Sequence, residues 1–79
     1  MAWDQTPERW VREFQFDDFR AAMAFLNRVA DVAEELGHHP EIFNVYGTVR
    51  LTLTTHDAGN TVTEKDHRLA AAIDALLED

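Results

Sequence analysis

Three histidines have the types and neighbours that proton chemistry requires. They are the pair His38-His39, followed at once by Pro40, and His56 at the end of the run Leu51-Thr52-Leu53-Thr54-Thr55. Imidazole is the one side chain whose ordinary pKa, about 6.5, lets it both give and take a proton near neutrality, so three converging imidazoles would form an acid–base site. Glu34 lies one helical turn before His38 and could orient it, and Asp66 is a second carboxylate able to hold an imidazole. His67, beside Asp66, reads as a surface residue.

Each of these residues also has an ordinary structural use. A histidine near a helix C-terminus complements the dipole, Asp66 suits a helix cap, and Trp3 and Trp10 suit packing. Zinc sites favour ligands at i,i+4 or tight-loop spacing, which only Glu34 and His38 satisfy, so no metal is expected. The chain has no serine for a nucleophilic triad and no cysteine for a thiolate. Chemistry alone points to a proton-transfer pocket.

The elements that must position these groups are set by patterning. Residues 9–16 alternate with Trp10, Phe14 and Phe16 on one side, a strand, and Trp3-Asp4-Gln5 would pair with it across the turn Thr6-Pro7-Glu8. Asp17 or Asp18 caps a helix whose stripe is Phe19, Ala22, Met23, Leu26, Val29, Ala30, Ala33 and Leu36, with Gly37 closing it. Phe25 and Val32 fall off that stripe, as a second contact surface or a widening of the first. Residues 42–46 and 48–55 form a hairpin about Gly47-Thr48, a turn whose first position needs glycine. Thr63 and Asp66 form a capping box opening a last helix with Leu69, Ala70, Ile73 and Leu76 or Leu77 buried. The expected fold is α+β, an antiparallel four-stranded sheet with two helices on one face, in the order β-β-α-β-β-α.

Seventy-nine residues make one domain, 1–79, and a chain this short buries only about 60% of its unfolded surface, which favours self-association. A formal charge of −8 opposes phosphate backbones and anionic membranes, so direct nucleic-acid and membrane partners are not expected. With no cysteine, no apolar stretch near the roughly 20 residues of a membrane span and no signal-peptide pattern, the expected setting is the cytoplasm.

Taken together, Glu34-x-x-x-His38-His39-Pro40-Glu41, Asn44-Val45-Tyr46, Leu53-Thr54-Thr55-His56-Asp57 and Thr63-Glu64-Lys65-Asp66 closely resemble the signature of the pterin-4a-carbinolamine dehydratases, some of which also serve as dimerisation cofactors of a homeodomain transcription factor. The upstream Phe14-x-Phe16-x-x-Phe19 pattern belongs to the same resemblance, which runs from about Arg9 to Ile73. It implies that His38, His39 and His56 line a pterin pocket, with Glu34 orienting His38 as the principal proton-transfer group. It also places Pro40, Thr55, Asp57 and Asp66 in substrate binding, and Trp3 at the pocket edge. Set beside that signature, the expectation is of no leading helix of the kind many family members carry and of a 57–62 loop one residue longer than usual. The implied reaction is dehydration of a 4a-hydroxytetrahydropterin in recycling the pterin cofactor of aromatic amino acid hydroxylases, with no cofactor of its own and a homo-oligomeric assembly. The alternative is a non-catalytic binding or assembly module on the pterin fold, or a molybdopterin-related role.

Overall fold

Alternation decides which face of the sheet is covered. The computed structural model describes residues 2–77, so the span 1–79 assigned to one domain runs past the described residues at both ends. Four strands, β1 (Asp4–Gln5), β2 (Trp10–Gln15), β3 (Glu41–Val45) and β4 (Thr48–Leu53), form an antiparallel sheet in the order β1-β2-β4-β3. Pairing of Trp10 with Leu53, Arg12 with Leu51 and Phe14 with Val49 puts these six side chains on the face covered by helices α1 (Phe19–Leu36) and α2 (Glu64–Leu76). The order is β-β-α-β-β-α, with a 3₁₀ turn at His56–Ala58 before α2. No helix among the described residues is long and apolar enough to cross a membrane.

Capping fixes the length of α1. Asp18 is extended and its carboxylate accepts from the Ala21 N–H at 2.8 Å. At the other end Gly37 takes the left-handed conformation, φ 66°, and its N–H and that of His38 close on Glu34 and Ala33. The buried face is Ala22, Phe25, Leu26, Val29 and Ala33, packed on Val49, Leu51 and Leu53 with Leu69 and Ile73 of α2. The face is therefore rotated toward Phe25, which is core and not a second contact surface. Its ring lies 4.8 Å from that of Phe14 and 5.0 Å from that of Phe16, and these aromatics draw it in. Phe19 and Leu36, at the ends of the expected stripe, are half-exposed.

Two other sequence expectations are corrected. The β3–β4 loop is Tyr46-Gly47, one residue earlier than expected, because Val45 pairs with Thr48. Tyr46 supplies the positive φ, 52°, so glycine serves a different need. A Cβ on Gly47 would stand 2.3 Å from the Phe16 carbonyl oxygen, and the Phe16 N–H donates to the Gly47 carbonyl at 2.8 Å. Close backbone approach, not turn conformation, selects glycine there. Trp3, expected at the edge of the pocket, is instead buried in the core, packed edge-on against Phe14. Its Nε1–H donates to the Asp74 carboxylate, which also receives the Arg12 guanidinium at 2.6 Å. Indole is amphipathic, and in this position the N–H finds its acceptor on α2 while the ring fills the core.

Candidate active site

Three chain segments end at one corner of the molecule. Gly37 turns the chain out of α1 and delivers His38 and His39; the end of β4 delivers Thr54, Thr55 and His56; the first turn of α2 delivers Lys65 and Asp66. Between them lies an open cleft of about 240 Å³ lined by all three histidines, Thr54, Thr55, Asp57 and Lys65.

Behind the cleft is a carboxylate with no solvent exposure. Asp66 Oδ1 faces His38 Nε2 at 2.6 Å, while Oδ2 accepts from the Thr55 hydroxyl at 2.7 Å and the Thr63 N–H at 2.9 Å. The last contact is half of the capping box, whose other half is the Thr63 side chain accepting from the backbone of the first turn. Burial by itself would raise the Asp66 pKa. The bonds from His38, the Thr63 N–H and Thr55, with the attraction of His38, outweigh it and hold the carboxyl below its ordinary range. An ionised carboxylate only accepts, so His38 Nε2 carries the proton it donates, and in the neutral ring Nδ1 is left as the acceptor.

The other two imidazoles are also tethered through one nitrogen. His39 Nε2 lies 2.5 Å from Glu34 Oε2 in an exposed pair, and its Nδ1 is free of that bond. His56 Nδ1 donates to the Asn60 side-chain oxygen at 2.7 Å, and its Nε2 stands 3.9 Å from Glu41 Oε2. Asn60 reaches His56 because it adopts the left-handed conformation, φ 59°, which asparagine tolerates better than most residues. Among the described residues no three histidine, aspartate or glutamate side chains are grouped to hold a metal ion.

The structure brings most of the expected site residues together. His38, His39, His56, Thr55 and Asp57 share the cleft; Asp66 stands behind it. The Thr55 hydroxyl is engaged with Asp66 and Thr63, so it braces the carboxylate instead of facing outward. Pro40 is half-buried outside the lining, and Trp3 is in the core. The expectation that Glu34 orients His38 is corrected: Glu34 holds His39, and Asp66 holds His38. Gly37 is the cause, since it ends the helix before His38 and breaks the i,i+4 relation with Glu34. Lys65 and Asn60 join the site without being expected from sequence. Lys65 stands inside the motif beside Asp66, and the tolerance of asparagine for left-handed backbone is the available signal for Asn60.

An antiparallel sheet covered on one face by two helices, with a histidine-lined cleft at the corner where both helices meet the sheet, defines a small α+β protein. The family model for pterin 4 alpha carbinolamine dehydratase matches residues 1–76, and the chain belongs to that family. A protein of Acidobacterium capsulatum provisionally named a pterin-4-alpha-carbinolamine dehydratase is 54% identical over 76 residues, covering 96% of this chain and 82% of the relative. A similarly named protein of Chloroflexus aurantiacus is 52% identical over 75 residues, covering 95% and 80%. Among solved structures, a transcriptional coactivator/pterin dehydratase from Brucella melitensis superposes with a TM-score of 0.85 at 42% identity, covering 94% of this chain and 80% of that one. A pterin dehydratase-like protein identified as a RuBisCO assembly factor in the alpha-carboxysome superposes with a TM-score of 0.74 at 29% identity, covering 94% and 84%.

Proposed function

We propose that the protein dehydrates 4a-hydroxytetrahydropterins to quinonoid dihydropterins in the cytoplasm, by histidine acid–base catalysis, in recycling the pterin cofactor of an aromatic amino acid hydroxylase. The observation that carries this reading is His38, backed through Nε2 by the buried Asp66 carboxylate in a cleft it shares with two further imidazoles. In the reaction His38 Nδ1 removes the proton on N5 of the pterin. The electron pair of that N–H bond forms the N5=C4a double bond, the C4a–O bond breaks, and the hydroxyl leaves as water after receiving a proton. His39 and His56 hold the substrate and assist the leaving hydroxyl, each fixed by its own tether. Neither transfer requires a resident cofactor.

The test is dehydration of a freshly generated 4a-hydroxytetrahydropterin, followed by loss of its absorbance in stopped flow. Positioned proton transfer contributes about 10²- to 10⁴-fold, so His38→Ala loses on that order while His67→Ala, whose ring stacks on Trp10 outside the cleft, keeps its rate. Equal rates in the two variants would remove His38 from the reaction.

A second reading, an assembly module, draws on the relative that is a RuBisCO assembly factor and on the exposed apolar side chains Ile42, Phe43 and Val45 of β3. β3 is an edge strand, and an edge bearing such residues is a surface for association. We assign it to homo-oligomerisation. Light scattering at micromolar concentration would then give a multiple of the 9.1 kDa chain mass, and a monomer would count against it.

A further inference from the structure

His56 differs from the other two cleft imidazoles in how it is held. His38 and His39 each reach a carboxylate through Nε2, whereas His56 reaches a neutral amide, Asn60 Oδ1, through Nδ1 at 2.7 Å. Its side chain is 68% exposed, against 13% for His38, so packing does little to fix the ring and the bond to Asn60 has to set its orientation. The backbone brings that amide into place. The 3₁₀ turn His56–Ala58 closes on Gly59, φ 82°, and Asn60 follows at φ 59°, so two left-handed residues stand in succession. Their N–H groups donate to the His56 carbonyl at 3.0 Å and the Thr55 carbonyl at 3.1 Å, which folds the chain back toward His56. Beyond Asn60 the chain is tied down again: the Thr55 N–H donates to the Thr61 carbonyl, and the Thr61 hydroxyl and the Val62 N–H both donate to the Pro7 carbonyl. Glycine would adopt the left-handed conformation at less cost, so the backbone alone does not call for asparagine at this position. The bond to His56 does.

We propose that Asn60 is a positioning residue for the dehydration, and that it confines proton exchange at His56 to Nε2. The inference rests on the dehydratase reading, in which His56 holds the substrate and assists the leaving hydroxyl. A neutral imidazole carries its one proton on either nitrogen, and the hydrogen bonds the ring makes decide which. The amide oxygen of Asn60 only accepts, so Nδ1 keeps its proton in the neutral ring and in the imidazolium alike. Every proton the ring gains or loses is then at Nε2. That nitrogen is left for a ligand, since Glu41 Oε2, at 3.9 Å, is beyond hydrogen-bonding distance and the ring lines the cleft. Without the amide, the ring is free to turn over and to move its proton between the two nitrogens. Only a fraction of molecules would then present Nε2 in the form the reaction uses, and the rate falls by that fraction.

Proton–nitrogen correlation NMR of the imidazole rings in the intact protein, recorded above the ordinary imidazole range, reads which nitrogen holds the proton. The His56 signals are assigned by their absence from His56→Gln. The natural protein should show His56 protonated on Nδ1. Asn60→Gly keeps the left-handed backbone and removes the amide, and should show the proton shared between the nitrogens or moved to Nε2. Because Asn60 is exposed and glycine suits its φ, this variant should fold as the natural protein does. Asn60→Asp keeps an acceptor in the same place and should restore the Nδ1 form. In stopped flow, Asn60→Gly should lose about two- to tenfold in kcat/KM, the effect of one net hydrogen bond, and Asn60→Asp should recover most of it. A natural protein with His56 protonated on Nε2, or a tautomer that Asn60→Gly leaves unchanged, overturns the proposal. So does a glycine variant with altered tautomer and undiminished turnover, which keeps the reaction and removes Asn60 from it. A natural protein that holds the Nδ1 form but dehydrates no pterin keeps the tether and loses the reaction, and with it the role proposed for Asn60.

Discussion

Asp66→Asn isolates the one carboxylate that folding and the proposed chemistry share. The amide oxygen can still accept from the Thr63 N–H and the Thr55 hydroxyl, so the start of α2 remains capped. The amide nitrogen then faces His38 Nε2 where Oδ1 stood at 2.6 Å, donor against donor, unless His38 moves its proton to Nδ1. That shift removes the acceptor on which the proposed N5 deprotonation depends. Because proton transfer by a positioned group contributes about 10²- to 10⁴-fold, the variant should lose at least about 10² in kcat with little change in KM. Replacing a charge-assisted hydrogen bond, about 1.5–3 kcal/mol, by a neutral one near 1 kcal/mol should cost on the order of 1–2 kcal/mol. For a domain of this size that is a fall of roughly 5–15 °C in Tm. Stopped-flow turnover and thermal melting of the same preparation give both numbers. A variant that shows the stability loss yet turns over within threefold of the natural protein would make Asp66 a structural residue only and refute the reasoning. The acid limb supplies an independent reading. The folded-state pKa of Asp66 is lowered, so its stabilisation is fully present above the unfolded value near 3.9 and is lost as pH falls through the folded value. The natural protein should therefore lose part of its Tm advantage over Asp66→Asn below about pH 4.

Two further substitutions test the scaffold. Gly47→Ala places a methyl group 2.3 Å from the Phe16 carbonyl oxygen, so the β3–β4 loop must shift. Overpacking of this kind costs about 1–3 kcal/mol, and an unchanged Tm would show that close approach is not why glycine stands there. Trp3→Phe removes the Nε1–H bond to Asp74, for roughly 1 kcal/mol, and leaves a cavity where the larger indole stood, so Tm should fall by more than the about 4–8 °C of the bond alone. Turnover should not change, because Asp74 lies about 12 Å along α2 from Asp66; a fall in kcat would return Trp3 to the pocket edge.

Strand alternation and capping chemistry are legible in the sequence because each is local. Phe14 and Phe16 report their face by spacing, Asp18 and Gly37 bracket α1, and Thr63 with Asp66 announces α2. Three-dimensional partnerships are less so. Glu34 stands one turn before His38 in sequence, but a single left-handed residue takes His38 off the helix and presents it to a carboxylate 28 positions away. Phe25 escapes the pattern for a related reason: helical spacing defines a stripe, while the aromatics Phe14 and Phe16 decide which edge of it faces the core. Trp3 is legible as a packing residue but not in its place, because the two-residue strand that follows it carries almost no pattern and its position depends on an indole acceptor, Asp74, at the other end of the chain.

The geometry of Asp66 links these observations. A free aspartate at the back of a cleft would rotate, and aligning it with an imidazole would cost side-chain entropy each time the base is used. Here the capping box and Thr55 together fix Oδ2, which leaves Oδ1 directed at His38 once α2 has formed. The entropy of orienting the pair is thus lost during folding and not during the proposed reaction, the condition that makes electrostatic preorganisation effective. The same coupling predicts which substitutions separate stability from chemistry. Thr55→Val removes one donor from Oδ2 and loosens the carboxylate, yet leaves the His38 tautomer unchanged. It should therefore lower Tm while reducing kcat far less than Asp66→Asn, and a reversed order would place the hydroxyl, not the carboxylate, at the centre of the site.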